Sequence, residues 1–287
     1  MGQANQCAPL GVFDSGLGGL TVVRALRAQC PHEDIIYLGD NARVPYGTRS
    51  PETVMSYALN CATKLASRGV KALVVACNTV SSVAIEMLRG ELDLPITGVI
   101  VPGARAATAV AGEDPVGVLG TAGTIASGAY TRAVAAISSR TEVIGQPAPL
   151  LVALAEEGWT DGEVPRLVVQ RYLSAFLGPA PGPPAKPELN VACVVLGCTH
   201  FPLFRQLIAD QLHAMSGQTI PVVDSAVQTA ADVRVFLEQR GMAAPPAARG
   251  KLSVLVTDMP ESFERVASRF LGEPLGEVEH VHLGACP

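Results

Sequence analysis

Short, continuous apolar runs punctuate this chain at Leu10–Phe13, Ile35–Leu38, Leu73–Ala76, Ile96–Val101, Val116–Leu119, Val191–Leu196, Ile220–Val223 and Leu252–Val256. A strand with one wet face alternates apolar and polar residues, whereas a strand covered on both faces does not. These runs do not alternate, so they predict strands of a sheet buried on both sides. Helical patterns lie between them. Met55, Ala58, Leu59, Ala62, Leu65 and Ala66 form a stripe of 3.6-residue period, with Ser50 as its cap and Pro51 in its first turn. Val80, Val83, Ala84, Met87 and Leu88 form a second stripe. Leu203, Phe204, Leu207, Ile208, Leu212 and Met215 form a third, opened by Pro202, and a further helix is expected over Arg166–Leu177. Strands alternating with helices predict βαβ units and a parallel sheet. The fold class is α/β.

One stretch breaks the rhythm. Residues 178–187, G-P-A-P-G-P-P-A-K-P, can be neither helix nor central strand, because proline lacks the amide donor, and they predict an extended surface loop. A weak internal repeat says more. Val74-Val75-Ala76-Cys77-Asn78-Thr79 resembles Val195-Leu196-Gly197-Cys198-Thr199-His200, and Gly11–Ser15 resembles Gly117–Thr121. Ile96 to Pro102 likewise matches Ile220 to Ser225. Two halves with the same strand order predict a duplicated α/β unit with pseudo-two-fold symmetry.

Composition narrows the function classes. With 48% hydrophobic and 16% charged residues over 287 positions, the chain can fill two cores and is not a disordered one. A net charge of −5 gives no general attraction to phosphate backbones, which disfavours nucleic acid as a partner. No apolar run reaches the roughly 18 residues that a membrane span needs. The opening M-G-Q-A-N-Q-C has neither a basic region nor an apolar one, so a cytoplasmic setting with reduced thiols is expected for the seven cysteines.

Chemistry concentrates where predicted strands end. Cys77 and Cys198 each follow a strand and precede a helix, and ligands of open parallel sheets bind beyond the carboxyl ends of strands. A helix N-terminus there also favours thiolate over thiol. Cys61 and Cys193 lie inside their elements and read as core thiols. Cys193, Cys198 and His200 fall short of a four-ligand zinc set, so no metal site is expected. A Cys198–His200 hydrolase pair would leave the matching Cys77 without a role. The loop Asp14-Ser-Gly-Leu-Gly-Gly-Leu-Thr21 follows the first strand like a dinucleotide fingerprint, with Asp40 ending the next strand. It nevertheless has Thr21 in place of the third glycine, and Asp14 would repel a pyrophosphate. Its amides suit a carboxylate better. Asp14, Ser15, Tyr46, Gly47, Asn78, Thr79, Thr121, Thr124, Thr199 and His200 all fall at strand ends or in the loops after them. Each alone is commonly a cap or a turn residue. Together they suit a small polar ligand with charged groups at both ends.

Several ordered motifs make the sequence recognisable: G-V-F-D-S-G-L-G-G-L-T-V from Gly11, Y-L-G-D-N-A-R-V-P-Y-G-T from Tyr37 and V-V-A-C-N-T from Val74. They continue with G-T-A-G-T-I-A-S-G-A-Y from Gly120, L-G-C-T-H-F-P-L from Leu196 and V-D-S-A from Val223. Over nearly its whole length the chain resembles the glutamate racemases of the cofactor-independent aspartate/glutamate racemase superfamily. That resemblance implies two parallel-sheet α/β domains, residues 1–102 with 226–287 and an inserted 103–225, with the active site in the cleft between them. It implies a racemase that interconverts L- and D-glutamate without cofactor and supplies D-glutamate for peptidoglycan.

The resemblance also assigns roles. Cys77 and Cys198 would be the acid/base pair, assisted by Asp14, Glu156 and His200. Asp14, Ser15, Tyr46, Gly47, Asn78, Thr79, Thr121, Thr199 and His200 would contact substrate. The chain departs from the family at Ala153, where proline is common, at Val101, where many relatives have glutamate, and in the proline-rich stretch. Alternatives are a racemase for aspartate or another acidic amino acid, a nucleotide-binding protein, and a non-catalytic regulator on the same fold. The sequence does not fix the oligomeric state, for which a homodimer is the form considered.

Overall fold

A computed structural model describes residues 6–178, 189–246 and 249–284. In chain order its strands are β1 (Leu10–Asp14), β2 (Ile35–Gly39), β3 (Ala72–Val75), β4 (Ile96–Gly98), β5 (Val116–Gly120), β6 (Val143–Pro147), β7 (Cys193–Gly197), β8 (Val222–Asp224), β9 (Leu252–Val256) and β10 (Val278–His280). The chain divides into two compact units, Met1–Val99 with Ala226–Pro287, and Ile100–Ser225. The first holds a six-stranded sheet of order β10-β9-β2-β1-β3-β4, and the second a four-stranded sheet of order β6-β5-β7-β8. Every paired strand is parallel.

The two sheets share one plan. Within each unit the first four strands lie in the order second, first, third, fourth, so β1 and β3 correspond to β5 and β7. The chain reverses its direction of winding between the first and third strands, which makes their carboxyl ends the switch point where open α/β sheets bind ligands. Asp14 ends β1, Cys77 follows β3, Thr121 follows β5 and Cys198 follows β7. The sequence repeat thus reappears as repeated topology.

Local chemistry explains the elements. In the helix Pro51–Ala66, Ser50 caps the N-terminus by accepting from the Thr53 amide, and Pro51 occupies the first turn. Its buried face, Val54, Ala58, Cys61, Ala62 and Leu65, packs with Phe13, Leu73 and Val75 in the first unit's core. The second unit's core joins Ile100, Ala104 and Ala107 of the helix Ile100–Ala111 to Val116, Val118, Tyr130, Cys193 and Val195. At the amino edge of the first sheet, Lys71 and Glu33 form a buried ion pair with Nζ 2.5 Å from Oε2. Lys71 also donates to the carbonyls of Gln6 and Met242, and Glu33 accepts from the Ala244 amide.

Several predicted boundaries are corrected. The run Ile96–Val101 yields only three strand residues. Val99 turns out of the ladder to donate to Ser81 Oγ, and the helix starts at Ile100. The stripe from Val80 to Leu88 is two helices, Asn78–Val83 and Ile85–Glu91, broken at Ala84. Cys198 leads into a 3-10 turn, Phe201–Phe204, before the α-helix Arg205–Ser216. The helix expected over Arg166–Leu177 runs Glu163–Leu173 with a 3-10 turn, Ser174–Phe176. Strands β6 and β10 give no apolar run because they are half-wet sheet edges. The proline-rich stretch lies outside the described residues except for Gly178.

Candidate functional site

At the carboxyl edge of the first sheet, Asp14 is buried and its Oδ2 accepts from the Gly19 amide at 2.8 Å. The glycine loop therefore closes on the chain's own carboxylate instead of standing open as a phosphate cradle. A Cβ on Gly19 would lie 2.5 Å from Asp14 Cβ and 2.9 Å from the Tyr37 hydroxyl, so this position admits only glycine. Tyr37, wholly buried, donates from its hydroxyl to the Gly16 carbonyl at 2.7 Å and braces the same loop from beneath. Ser15 sits at the loop's start with Oγ 3.7 Å from Cys77 Sγ. Cys77 is 5% exposed and caps the helix that begins with Asn78 and Thr79, both buried.

Tyr46 and Gly47 occupy a 3-10 turn in the loop that follows β2. The Tyr46 hydroxyl is engaged with the carboxylate of Asp40, which is itself fully buried. Burial, with the nearby Cys61 and Asp40, keeps this phenol far above its usual pKa, so it stays a donor. Asp40 also accepts from Arg43 Nε at 2.7 Å and from Thr257 Oγ1 at 2.9 Å. A carboxylate so enclosed cannot reach a ribose, which removes the role weighed for it in a nucleotide site. The sequence carried a signal for Asp40, its strand-end position, and none for Thr257, some 200 residues away.

The second sheet's carboxyl edge holds a different set. Cys198 and His200 are both 6% exposed, with Sγ 3.8 Å from Nδ1. His200 Nε2 lies 3.1 Å from Glu156 Oε1, on the helix Pro149–Glu157, and Thr199 Oγ1 lies 3.5 Å from Nδ1. Burial pulls the imidazole toward neutrality. The hydrogen bonds and negative charge of Cys198 and Glu156 outweigh it and push the His200 pKa up to about 10. Thr121 caps the helix Ala122–Ala126 by accepting from the Thr124 amide and donates to Thr124 Oγ1.

The remaining cysteines differ in kind. Cys61 and Cys193 are fully buried, and burial raises both thiols, Cys193 to about 11. Both suit packing. None of the described cysteines is in a disulfide, and no cluster of three metal-ligating side chains occurs among the described residues. No helix among them is long and apolar enough to cross a membrane.

Comparison with known proteins agrees in sequence and in fold. The family model described as Asp/Glu/Hydantoin racemase matches residues 20–233. A glutamate racemase of Geobacter metallireducens is 46% identical over 276 residues, covering 96% of this chain and 97% of its own. The glutamate racemase of Francisella tularensis, solved in complex with D-glutamate, has a TM-score of 0.86 at 33% identity, over 96% of this chain and 98% of that one. One from Bacillus anthracis has a TM-score of 0.88 at 34% identity, over 97% and 99%. Both its sequence and its two parallel-sheet units therefore place this chain in the Asp/Glu/hydantoin racemase family, and it is a racemase.

Proposed function

We propose that this racemase interconverts L- and D-glutamate by moving the α-proton with two thiols, Cys77 and Cys198, and that no cofactor takes part. The observation that carries the reading is topological. Both cysteines follow the third strand of their sheet, beside the same switch point of the same strand order. Glutamate is favoured over aspartate because the relatives at 46%, 34% and 33% identity are glutamate racemases.

In this mechanism one cysteine is a thiolate and the other a thiol when substrate binds. The thiolate takes the Cα proton from one face, leaving a planar carbanion with its electron pair delocalised into the α-carboxylate. The thiol delivers a proton to the opposite face, and the charges of the two sulfurs are exchanged. His200, held by Glu156, supports the thiolate of Cys198, while Cys77 has the Ser15 hydroxyl beside it. Asn78, Thr79, Thr121 and Thr199 supply hydrogen-bonding groups for the carboxylate on which charge develops. With its hydroxyl committed to Asp40, Tyr46 would serve substrate, as Gly47 would, through the main chain. The D-glutamate formed would serve peptidoglycan synthesis in the cytoplasm.

The test is racemisation in D₂O from each enantiomer. Early product should carry deuterium at Cα while remaining substrate stays protiated, because the abstracted proton stays on one sulfur and the delivered one comes from the other. Cys77→Ala and Cys198→Ala should each stop racemisation. Protein dialysed against chelator should retain its activity. Early deuterium in recovered substrate, or racemisation by either variant, would point to a single mobile base, and a comparable kcat/KM on L-aspartate would overturn the substrate assignment.

A further inference from the structure

We infer that Asp40 is a positioning residue of this active site, the hub that holds the 41–48 loop and with it Tyr46 and Gly47; the inference rests on the glutamate reading above. The carboxylate is fully buried, yet it touches no group that reacts. Its Oδ2 takes the Tyr46 hydroxyl and Arg43 Nε, and its Oδ1 takes Thr257 Oγ1 at 2.9 Å. The Tyr46 ring lies against Tyr57, with centroids 5.3 Å apart, and the Arg43 guanidinium lies 4.3 Å above the Tyr57 ring. The contacts close on themselves, from Asp40 to Tyr46, to Tyr57, to Arg43 and back to Asp40.

The hub is also fixed to the sheet. Asp40 donates its amide to the Asp14 carbonyl at 3.1 Å, which sets the loop beside the tip of β1. Asn41 Oδ1 accepts from the amides of Thr257 and Asp258, both at 3.0 Å, and ties the loop to the end of β9. A buried charge is tolerated only when its hydrogen-bonding capacity is met, so each donor is also held by the carboxylate's need for it. The loop itself has little core to hold it, since Ala42, Val44 and Pro45 are exposed and only Tyr46 is buried. The Tyr46-Gly47 turn is therefore held chiefly through Asp40, with Asn41 fixing the start of the loop. Losing the Asp40 side chain should cost ordering of the loop at binding and little of the proton transfer on sulfur.

Asp40→Asn keeps the shape but loses the charge and one acceptor oxygen, so it cannot accept from Tyr46 and Arg43 on one side and from Thr257 on the other. We expect KM for L-glutamate to rise about tenfold with kcat changed less than about threefold. Thr257→Val should shift KM in the same direction, and Thr257→Ser should restore it. Tyr46→Phe combined with Asp40→Asn should raise KM by less than the product of the two single effects, because both act on the Asp40–Tyr46 contact. Lys71→Met, which weakens the same unit at the opposite edge of the sheet, should leave KM unchanged. Hydrogen exchange of the 41–48 amides should quicken in Asp40→Asn and Thr257→Val but not in Thr257→Ser, a readout that needs no substrate. If the wild-type chain fails to racemise glutamate, the functional reading fails while exchange still decides the hub. Unchanged exchange and KM in Asp40→Asn or Thr257→Val, or an equal KM rise in Lys71→Met, would overturn the proposal.

Discussion

His200 is the residue whose ionisation the fold changes most usefully. Its ordinary pKa is about 6.5, and in the folded chain it is pushed up to about 10. Across that window the folded state holds a proton that the unfolded chain has released, so stability falls as pH rises from about 6.5 to 10. The contribution is complete below the lower value and gone above the upper one. Glu156→Gln removes one of the partners that raise the pKa and leaves the burial that lowers it. The imidazole of the variant should titrate at lower pH when followed by NMR, and its stability should fall less steeply with pH over the same window. An unchanged titration would mean that Cys198 alone holds the proton. The two cysteines were legible as candidates because each follows an apolar run and precedes polar residues. Glu156 was not, since nothing in a helix of apolar residues marks one carboxylate out of Glu156 and Glu157. Family resemblance suggested the position, and geometry supplied its partner, His200.

At the scale of elements, continuous apolar runs located eight strands because a strand covered on both faces needs no alternation. The same rule hid β6 and β10, which lie at the sheet edges and carry Gln146, Pro147, Glu279 and His280. The glycine loop shows the other limit of sequence reading. Its spacing resembled a nucleotide motif, but the reason for glycine at position 19 is the close approach of Asp14 and Tyr37. Gly19 has φ −60, so backbone freedom is not the issue; space is. Gly19→Ala should therefore overpack the loop at a cost of about 1–3 kcal/mol and displace Asp14. We expect circular dichroism to show a retained fold while racemisation drops by about tenfold or more. Activity near wild type in a folded Gly19→Ala protein would show that the loop yields without moving Asp14. The helix Pro51–Ala66 offers a milder test: Ser50→Ala should cost about 1 kcal/mol in denaturant unfolding, the usual worth of an N-cap.

At the scale of the whole molecule, the repeated second-first-third-fourth strand order was legible because the strand-Cys-polar pattern recurs in the two halves. What the repeat did not announce is how β9 and β10 extend the first sheet beyond β2. β9 joins β2 and β10 joins β9 through parallel ladders between segments more than 200 residues apart for β2 and β9, a pairing that sequence spacing cannot match, as it cannot match the pair Lys71–Glu33. This pair also fastens the chain near Gln6, Met242 and Ala244 to the amino edge of the sheet, away from the strand tips that carry Asp14 and Cys77. Both side chains are nearly inaccessible, at 2% and 4%. Coulombic attraction there is offset by the cost of taking two charges out of water, so the pair's net worth is small. Breaking it is another matter, because Lys71→Met strands the Glu33 carboxylate in the interior. That variant should lose about 3–5 kcal/mol in urea unfolding, with kcat unaltered at temperatures where it remains folded. The double variant Lys71→Met/Glu33→Leu removes both charges and should recover most of the loss, since no unpaired ion remains to be desolvated. A single variant as stable as wild type would mean that water reaches Glu33 once the lysine is gone. A double variant no better than the single would mean that the hydrogen bonds to Gln6, Met242 and Ala244, and not the charge pair, hold this edge together.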